Sequence, residues 1–299
     1  MNDASTGLLN HCECVLCGYM IAKPLEDLTR IARPPGGRQI VRCCRCGLAF
    51  IHPMPSQDEL VALYSAPEYA QAYAMHGDAY VLGATVPADF VGERLARIEK
   101  MIGGKTGRIL DIGAATGSFL RVARDRGWDT VGLELSVEAS EVARAQHGLD
   151  VRRQTLEEAR FRNGEFDAVH LSHVFEHLRD PLGSLAEMRR VLRPGGVLVL
   201  EVPAELGDLF CWIQTWVLRR SPVPYAVATP HTFFYTPQTL RRIVAKSGFD
   251  VLAIRTPRRN QDPNSRIPLG RLAKRLVYAV EALARLGPNI ELFARKGAS

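Results

Sequence analysis

Arg108-Ile-Leu-Asp-Ile112 runs directly into Gly113-Ala-Ala-Thr-Gly117 and on into Ser118-Phe-Leu-Arg-Val-Ala-Arg124. A short run of branched apolar residues, a glycine turn and an amphipathic stretch read as buried strand, sharp turn and helix. Gly113 lets the backbone reverse and approach a ligand closely. Gly117 removes a side chain where the helix begins near that ligand. Phe119, Leu120, Val122 and Ala123 form the apolar helix face. Asp111 lies at the end of the strand and Glu134 at the end of the next one, Thr130-Val-Gly-Leu-Glu134. An acid about 20 residues beyond such a turn is placed to grip ribose hydroxyls. A pyrophosphate fingerprint does not fit, because its second glycine is replaced by Ala115 and Asp111 would repel the phosphates. The same acid suits a nucleoside ligand that carries an ammonium group.

These features match a family. Leu110-Asp-Ile-Gly-Ala-Ala-Thr-Gly-Ser-Phe119 resembles the first motif of the class I methyltransferases. Phe166-Asp-Ala-Val169, His173-Val-Phe-Glu-His-Leu178 and Asp180-Pro181 resemble their fourth-strand region, and Leu192-Arg-Pro-Gly-Gly-Val-Leu-Val-Leu-Glu201 their fifth strand. The resemblance implies an α/β, Rossmann-like sheet of seven strands with a reversed last strand. Gly248-Phe-Asp-Val-Leu-Ala-Ile254 and Asn289-Ile-Glu-Leu-Phe-Ala294 would close it. It also implies S-adenosylmethionine as cofactor. Asp111, Gly113, Ala115 and Gly117 would line its methionine portion, and Glu134 would bind the ribose. Leu135 and Leu156 would sandwich the adenine, and Ser172 would face the cofactor from the end of the fourth strand.

Six of the seven cysteines precede residue 50. Cys14-Val-Leu-Cys17 and Cys43-Cys44-Arg-Cys46 form two pairs of the C-x-x-C type, each followed by a glycine. Two such turns can place four thiolates around one zinc ion, a closed structural site with no open position for substrate. Cys12 and Cys44 are spare, and ligation through them is the alternative. The first ten residues do not read as an export signal, and the apolar run Leu209–Leu218 is too short for a membrane span, so a cytoplasmic location is expected. The net charge of +6 is uneven: residues 251–299 carry ten Lys or Arg against three Asp or Glu. A basic tail attracts anionic partners or is simply a solvated face.

Methyl transfer to oxygen or carbon needs an acceptor in line with the methyl group, and often a base that removes its proton. His173, Glu176 and His177 follow the fourth strand, where ligand sites lie in open α/β sheets. His177 is the first candidate base, His173 stands beside it, and His231 in His231-Thr-Phe-Phe-Tyr235 is the second candidate. A structural role for Glu176 and His177, bonding backbone, is the alternative. The string His173-x-x-Glu176-His177 matches an inverted zinc-protease motif, but Asp180-Pro181 starts a new helix too soon for that. Ubiquinone-pathway O-methyltransferases are similar here but carry Glu where this chain has His173, which weakens a magnesium site.

The expected organisation is a zinc-binding module over 1–55, a helical linker or lid over 56–95, opened by the capping box Ser56-Gln-Asp-Glu59, and a methyltransferase domain over 96–299. Two insertions interrupt that domain. The first, at about 203–235, carries Phe210, Trp212, Trp216 and Tyr225 and would wall the acceptor pocket, form a homodimer interface or pack as core. The second, at about 256–288, holds an amphipathic stretch, Leu272–Leu286, suited to phosphate groups or peripheral membrane contact. Cys46-Gly-Leu-Ala-Phe50 and Pro53-Met-Pro55 ahead of the methyltransferase motif resemble zinc-bearing enzymes that act on sugars and secondary metabolites. That resemblance implies methyl transfer to a small-molecule or glycan acceptor. An RNA methyltransferase and a non-catalytic cofactor-binding subunit are the rivals. The low positive charge of the cysteine region and the lack of a base-presenting motif count against nucleic acid.

Overall fold

The computed structural model describes residues 2–3, 8–32, 34–64, 88–204, 231–257 and 287–297. The linker over 65–87, the aromatic insertion over 205–230 and the basic segment over 258–286 lie outside the described residues. The chain divides into two compact units. One comprises Met1–Pro55, Glu201–Ile243 and Ala253–Leu292, the other Ser56–Leu200, Val244–Leu252 and Phe293–Ser299.

The chain begins with strands β1 (Asn2–Asp3), β2 (Leu8–Asn10), β3 (Ile21–Pro24), β4 (Gln39–Cys43) and β5 (Ala49–His52), with helix α1 (Glu26–Ala32) between β3 and β4. Each pairs antiparallel with the next, in keeping with the short turns that join several of them. Alternation along β4 and β5 puts Ile40, Ala49 and Ile51 on one face, where Leu25 and Leu28 cover them. Thr29 Oγ1 accepts the Ile40 N–H at 2.9 Å and so ties α1 to the sheet.

Helix α2 (Gln57–Tyr64) opens with the capping box read from the sequence. The Ser56 N–H donates to Glu59 Oε2 at 2.7 Å, and the Glu59 N–H donates to Ser56 Oγ at 3.1 Å. Helix α3 (Ala88–Met101) buries Val91, Leu95 and Ile98 along one stripe, with Arg94 buried among them. Then come β6 (Arg108–Ile112), α4 (Ser118–Asp125), β7 (Asp129–Leu133), α5 (Val137–His147), β8 (Val151–Arg152), β9 (Phe166–Ser172), α6 (Pro181–Val191) and β10 (Leu192–Pro203). The β6–β7, β6–β9 and β7–β8 pairs are parallel, which needs the helical crossovers the sequence supplies. Asp180 caps α6 by accepting the Gly183 N–H at 2.9 Å, with Pro181 in the first turn.

Strand β11 (Phe233–Phe234), helix α7 (Pro237–Lys246) and strands β12 (Phe249–Arg255) and β13 (Asn289–Lys296) complete the chain. The larger sheet has the order β12-β13-β10-β9-β6-β7-β8. It contains both expected closing strands, and the last one inserts between β12 and β10. The other sheet has the order β1-β2-β3-β4-β5-β11. Its outer strand is the surprise, since β11 comes from the end of the aromatic insertion. Phe233 stands opposite Phe50 and Phe234 opposite Ala49, so Phe234 joins the Ile40–Ile51 core of the cysteine-bearing sheet.

Candidate functional site

At the carboxyl end of β6 the chain must turn without blocking the neighbouring strands. Gly113 does so at φ +76, and a Cβ there would run into the Val174 side chain. The N–H groups of Gly113 and Ala114 donate to the Leu133 carbonyl at 2.8 and 2.9 Å, which fastens the turn to the end of β7. Gly117 also has a positive φ, +83, but the space of its missing Cβ is filled by Leu149 and Ala143. Packing against α5 therefore fixes this glycine as firmly as any ligand would. Ala115 adopts φ +47, a left-handed conformation that an L-residue with a Cβ tolerates poorly.

The two acids stand at the ends of adjacent strands. Glu134, half-buried just beyond β7, accepts the Ala115 N–H on Oε2 at 2.9 Å and the Ser136 N–H on Oε1 at 2.8 Å. Burial raises its pKa above the usual carboxylate value; the backbone donors of Ser136, Ala115 and Leu135 oppose the rise, and the charge of Asp111 adds to it. Both oxygens are thus oriented by backbone, and each keeps a lone pair for a further donor. Leu135, next to Glu134, is 49% exposed, an apolar surface open to a ligand, whereas Leu156 is 5% exposed and offers little.

Asp111 is 3% exposed and its Oδ1 lies 2.7 Å from Nδ1 of His170. The other ring nitrogen of His170 lies 2.9 Å from an Arg94 guanidinium nitrogen, and Phe119 stacks on the ring with centroids 3.8 Å apart. Sequence reasoning passed over Arg94 and His170. The one available signal was a pair of polar residues inside otherwise apolar patterns on α3 and β9.

Beyond Ser172, at the end of β9, the chain bends through His173 at φ +55 into a single 3₁₀ turn, Phe175–His177. Glu176, 1% exposed, sits between the two histidines: its Oε1 is 3.6 Å from His173 Nδ1 and 3.8 Å from His177 Nε2. A turn this short excludes the long metal-binding helix of a zinc protease, as the sequence argument required. His231 belongs to the other unit. It lies two residues before β11, with its ring edge-on to Phe234 at 6.3 Å.

The four expected cysteines come together. The sulfurs of Cys14, Cys17, Cys43 and Cys46 all lie within 4.8 Å of one another, with 3.4 Å between Cys14 and Cys46 and 3.6 Å between Cys17 and Cys43. Cys12 is buried and Cys44 exposed, and neither belongs to the cluster. Each C-x-x-C turn is closed by backbone bonds, Gly18 N–H to Cys14 O at 2.7 Å and Gly47 N–H to Cys43 O at 3.1 Å. Burial raises the pKa of the Cys14 thiol, and that of Cys46 is pushed up to about 11. Burial works the same way on Cys43, but the backbone N–H groups of Cys46 and Arg45 outweigh it and hold that thiol below its usual value. Four sulfurs at these separations fit one tetrahedral ion, whose charge would favour all four thiolates.

The methyltransferase-domain family matches residues 86–254, more than half of the 299 residues. The ubiquinone biosynthesis O-methyltransferase of Cereibacter sphaeroides is 31% identical over 157 residues, covering 48% of this chain and 60% of that protein. The demethylmenaquinone methyltransferase of Renibacterium salmoninarum is 31% identical over 191 residues, covering 62% of this chain and 77% of that protein. The solved structure of an S-adenosylmethionine-dependent methyltransferase from Archaeoglobus fulgidus aligns with a TM-score of 0.50 at 22% identity, over 70% of this chain and 94% of that one, a likeness of fold. With the glycine turn, the paired acids and the sheet order on the same side of the argument, the chain belongs to the class I S-adenosylmethionine-dependent methyltransferases.

Proposed function

We propose that the chain binds S-adenosylmethionine at the ends of β6 and β7 and transfers its methyl group to an oxygen or carbon of a small molecule. A sugar, glycan or secondary metabolite is the acceptor class we favour. The observation that carries the cofactor site is Glu134, a carboxylate whose two oxygens are aimed by the N–H groups of Ala115 and Ser136. The chemistry supplied by the bound cofactor is a sulfonium methyl open to in-line displacement. Around it, Glu134 would hold the ribose hydroxyls, Asp111 the ammonium, and exposed Leu135 one face of the adenine. Gly113 makes the sharp turn beneath the ligand, with Val174 packed where its Cβ would lie, and Ser172 stands at the rim. His177 would take the acceptor proton, oriented by buried Glu176, with His173 beside the same carboxylate. His231 is the alternative base. The cysteine cluster would hold one structural zinc ion.

One relative is named for ubiquinone biosynthesis and another for demethylmenaquinone, so a quinone or quinone precursor is the second acceptor class to test. Among the described residues no helix is long and apolar enough to cross a membrane. Titration calorimetry with S-adenosylhomocysteine tests the cofactor site. Wild type should bind, and Glu134→Ala should weaken binding about tenfold to a hundredfold through lost bonds to a charged group. No binding by folded wild type would reject the enzyme reading in favour of a non-catalytic subunit. Labelled cofactor offered with sugar-nucleotide, glycan, quinone-precursor and RNA pools then identifies the acceptor.

A further inference from the structure

We propose that His170 and Arg94 are positioning residues that hold the Asp111 carboxyl aimed at the ammonium group of the cofactor. This rests on the cofactor site proposed above. Strands β6 and β9 are parallel neighbours, and their register sets Asp111 directly opposite His170. Both side chains therefore project from the same face of the sheet. Asp111, His170 and Arg94 are 3%, 2% and 3% exposed, so none of the three is solvated well enough to stand alone.

The direction of the chain of bonds follows from donor chemistry. An arginine is a permanent cation with donors only, so Nε2 of His170 must accept from Arg94 Nη1 at 2.9 Å. The ring proton then resides on Nδ1 and is donated to Asp111 Oδ1 at 2.7 Å. The imidazole thus links the buried guanidinium to the buried carboxyl. Phe119, with its plane 8° from that of the imidazole, holds the ring in the one orientation that reaches both partners. Phe90 lies against Arg94 with the guanidinium carbon 4.8 Å from the ring centre.

Asp111 needs this support because a second carboxylate is near. Its charge is among the influences that push the Glu134 pKa upward. Two acids at one edge repel, and the Arg94 cation, linked to Asp111 through His170, offsets that repulsion. With Oδ1 committed to His170, Oδ2 is left for the ligand. The same three residues also brace α3, β9 and β6, so the test must separate positioning from bracing.

Calorimetry on the full chain does so with two probes. S-adenosylhomocysteine carries the ammonium group, and 5′-methylthioadenosine keeps the adenosine but lacks the amino acid. His170→Phe keeps a ring against Phe119 and loses both bonds. It should weaken S-adenosylhomocysteine binding about tenfold to a hundredfold and leave methylthioadenosine within about twofold. His170→Asn can still donate to Asp111 and should recover part of the loss. Arg94→Gln, a neutral donor, should show a smaller loss with the same ligand selectivity. If His170→Phe does not fold, these two variants carry the comparison. Equal losses for both probes, or no loss for either, would overturn the positioning role. Wild type that binds neither probe would instead reject the cofactor site on which the proposal rests.

Discussion

Ala115 shows how closely the ligand turn is constrained. Its N–H must point at Glu134, 2.9 Å away, and reaching that geometry forces φ to +47. A left-handed conformation costs an L-residue about 1–2 kcal/mol. Glycine there would relieve the strain but lose about 0.4–1 kcal/mol to the greater freedom of the unfolded chain. Ala115→Gly should therefore stabilise by about 0–1.6 kcal/mol, read as a melting temperature up to a few degrees higher. A lower melting temperature would mean that the methyl group makes contacts worth more than the strain. Gly113→Ala has no such relief, since its Cβ meets Val174 at φ +76. A loss of about 2 kcal/mol or more is expected in urea unfolding. Gly113 and Glu134 were readable because their spacing is local to one strand–turn–helix–strand unit. Arg94 and His170 were not: His170 reaches Asp111 from a strand 59 residues further on, and Arg94 reaches His170 from a separate helix. Pattern along the chain carries no record of such a meeting beyond a polar residue where an apolar one was due.

The elements around that turn are held by a few polar links whose strength depends on pH. Helix α3 is joined to the end of α4 by Glu99, which accepts from Arg126 Nε at 2.9 Å, from Arg126 Nη2 at 2.6 Å and from Trp128 Nε1 at 3.2 Å. The Arg126 bonds hold the Glu99 carboxyl below its ordinary value of 4.5 against the opposing effect of burial, and Trp128 adds to the depression. A carboxylate with a depressed folded pKa stabilises fully above its unfolded value, and the contribution is lost as pH falls through the folded one. Arg126 is about a third exposed, so the link is worth about 1 kcal/mol, not the several of a dry pair. Glu99→Gln should lower stability by that amount at pH 7 and match wild type once pH falls well below 4.5, as followed by urea melts. A gap that persists in acid would assign the effect to packing instead of charge. Caps were the elements best read in advance. Ser56–Glu59 and Asp180–Pro181 each place donor and acceptor within four residues, so the chain itself declares the helix start. The bend at His173 was harder to see, because a positive φ on histidine leaves no compositional mark.

Across the molecule the least legible feature is the company kept by the cysteines. Two local spacings single out four cysteines, and their sulfurs lie together; a shared ion is the proposal built on that cluster. By spacing alone residues 1–55 form a separate module, whereas their sheet ends on β11, contributed by residues 233–234. A two-residue strand has no periodicity to detect, and its partner lies more than 180 residues away. The connection has a consequence that can be measured. Cys43 ends β4, Cys46 leads back toward β5, and β5 alone pairs with β11 among the described strands. Arg242 on α7 adds a 3.4 Å bond to the Cys46 carbonyl. Structural zinc sites in small peptides are worth on the order of 10 kcal/mol, far more than two cross-strand pairs. Removing an ion held at the proposed cysteine site should therefore loosen β5 and release β11 with it. Hydrogen exchange with and without a chelator should show faster exchange at residues 231–235 together with 43–52. Cys46→Ser should reproduce this and abolish zinc binding at the proposed site, whereas Cys44→Ser, whose side chain lies outside the cluster, should do neither. Exchange that quickens only around the cysteines would mean that Phe234, packed on Ile40, Ala49 and Ile51, holds β11 in place without help from the metal.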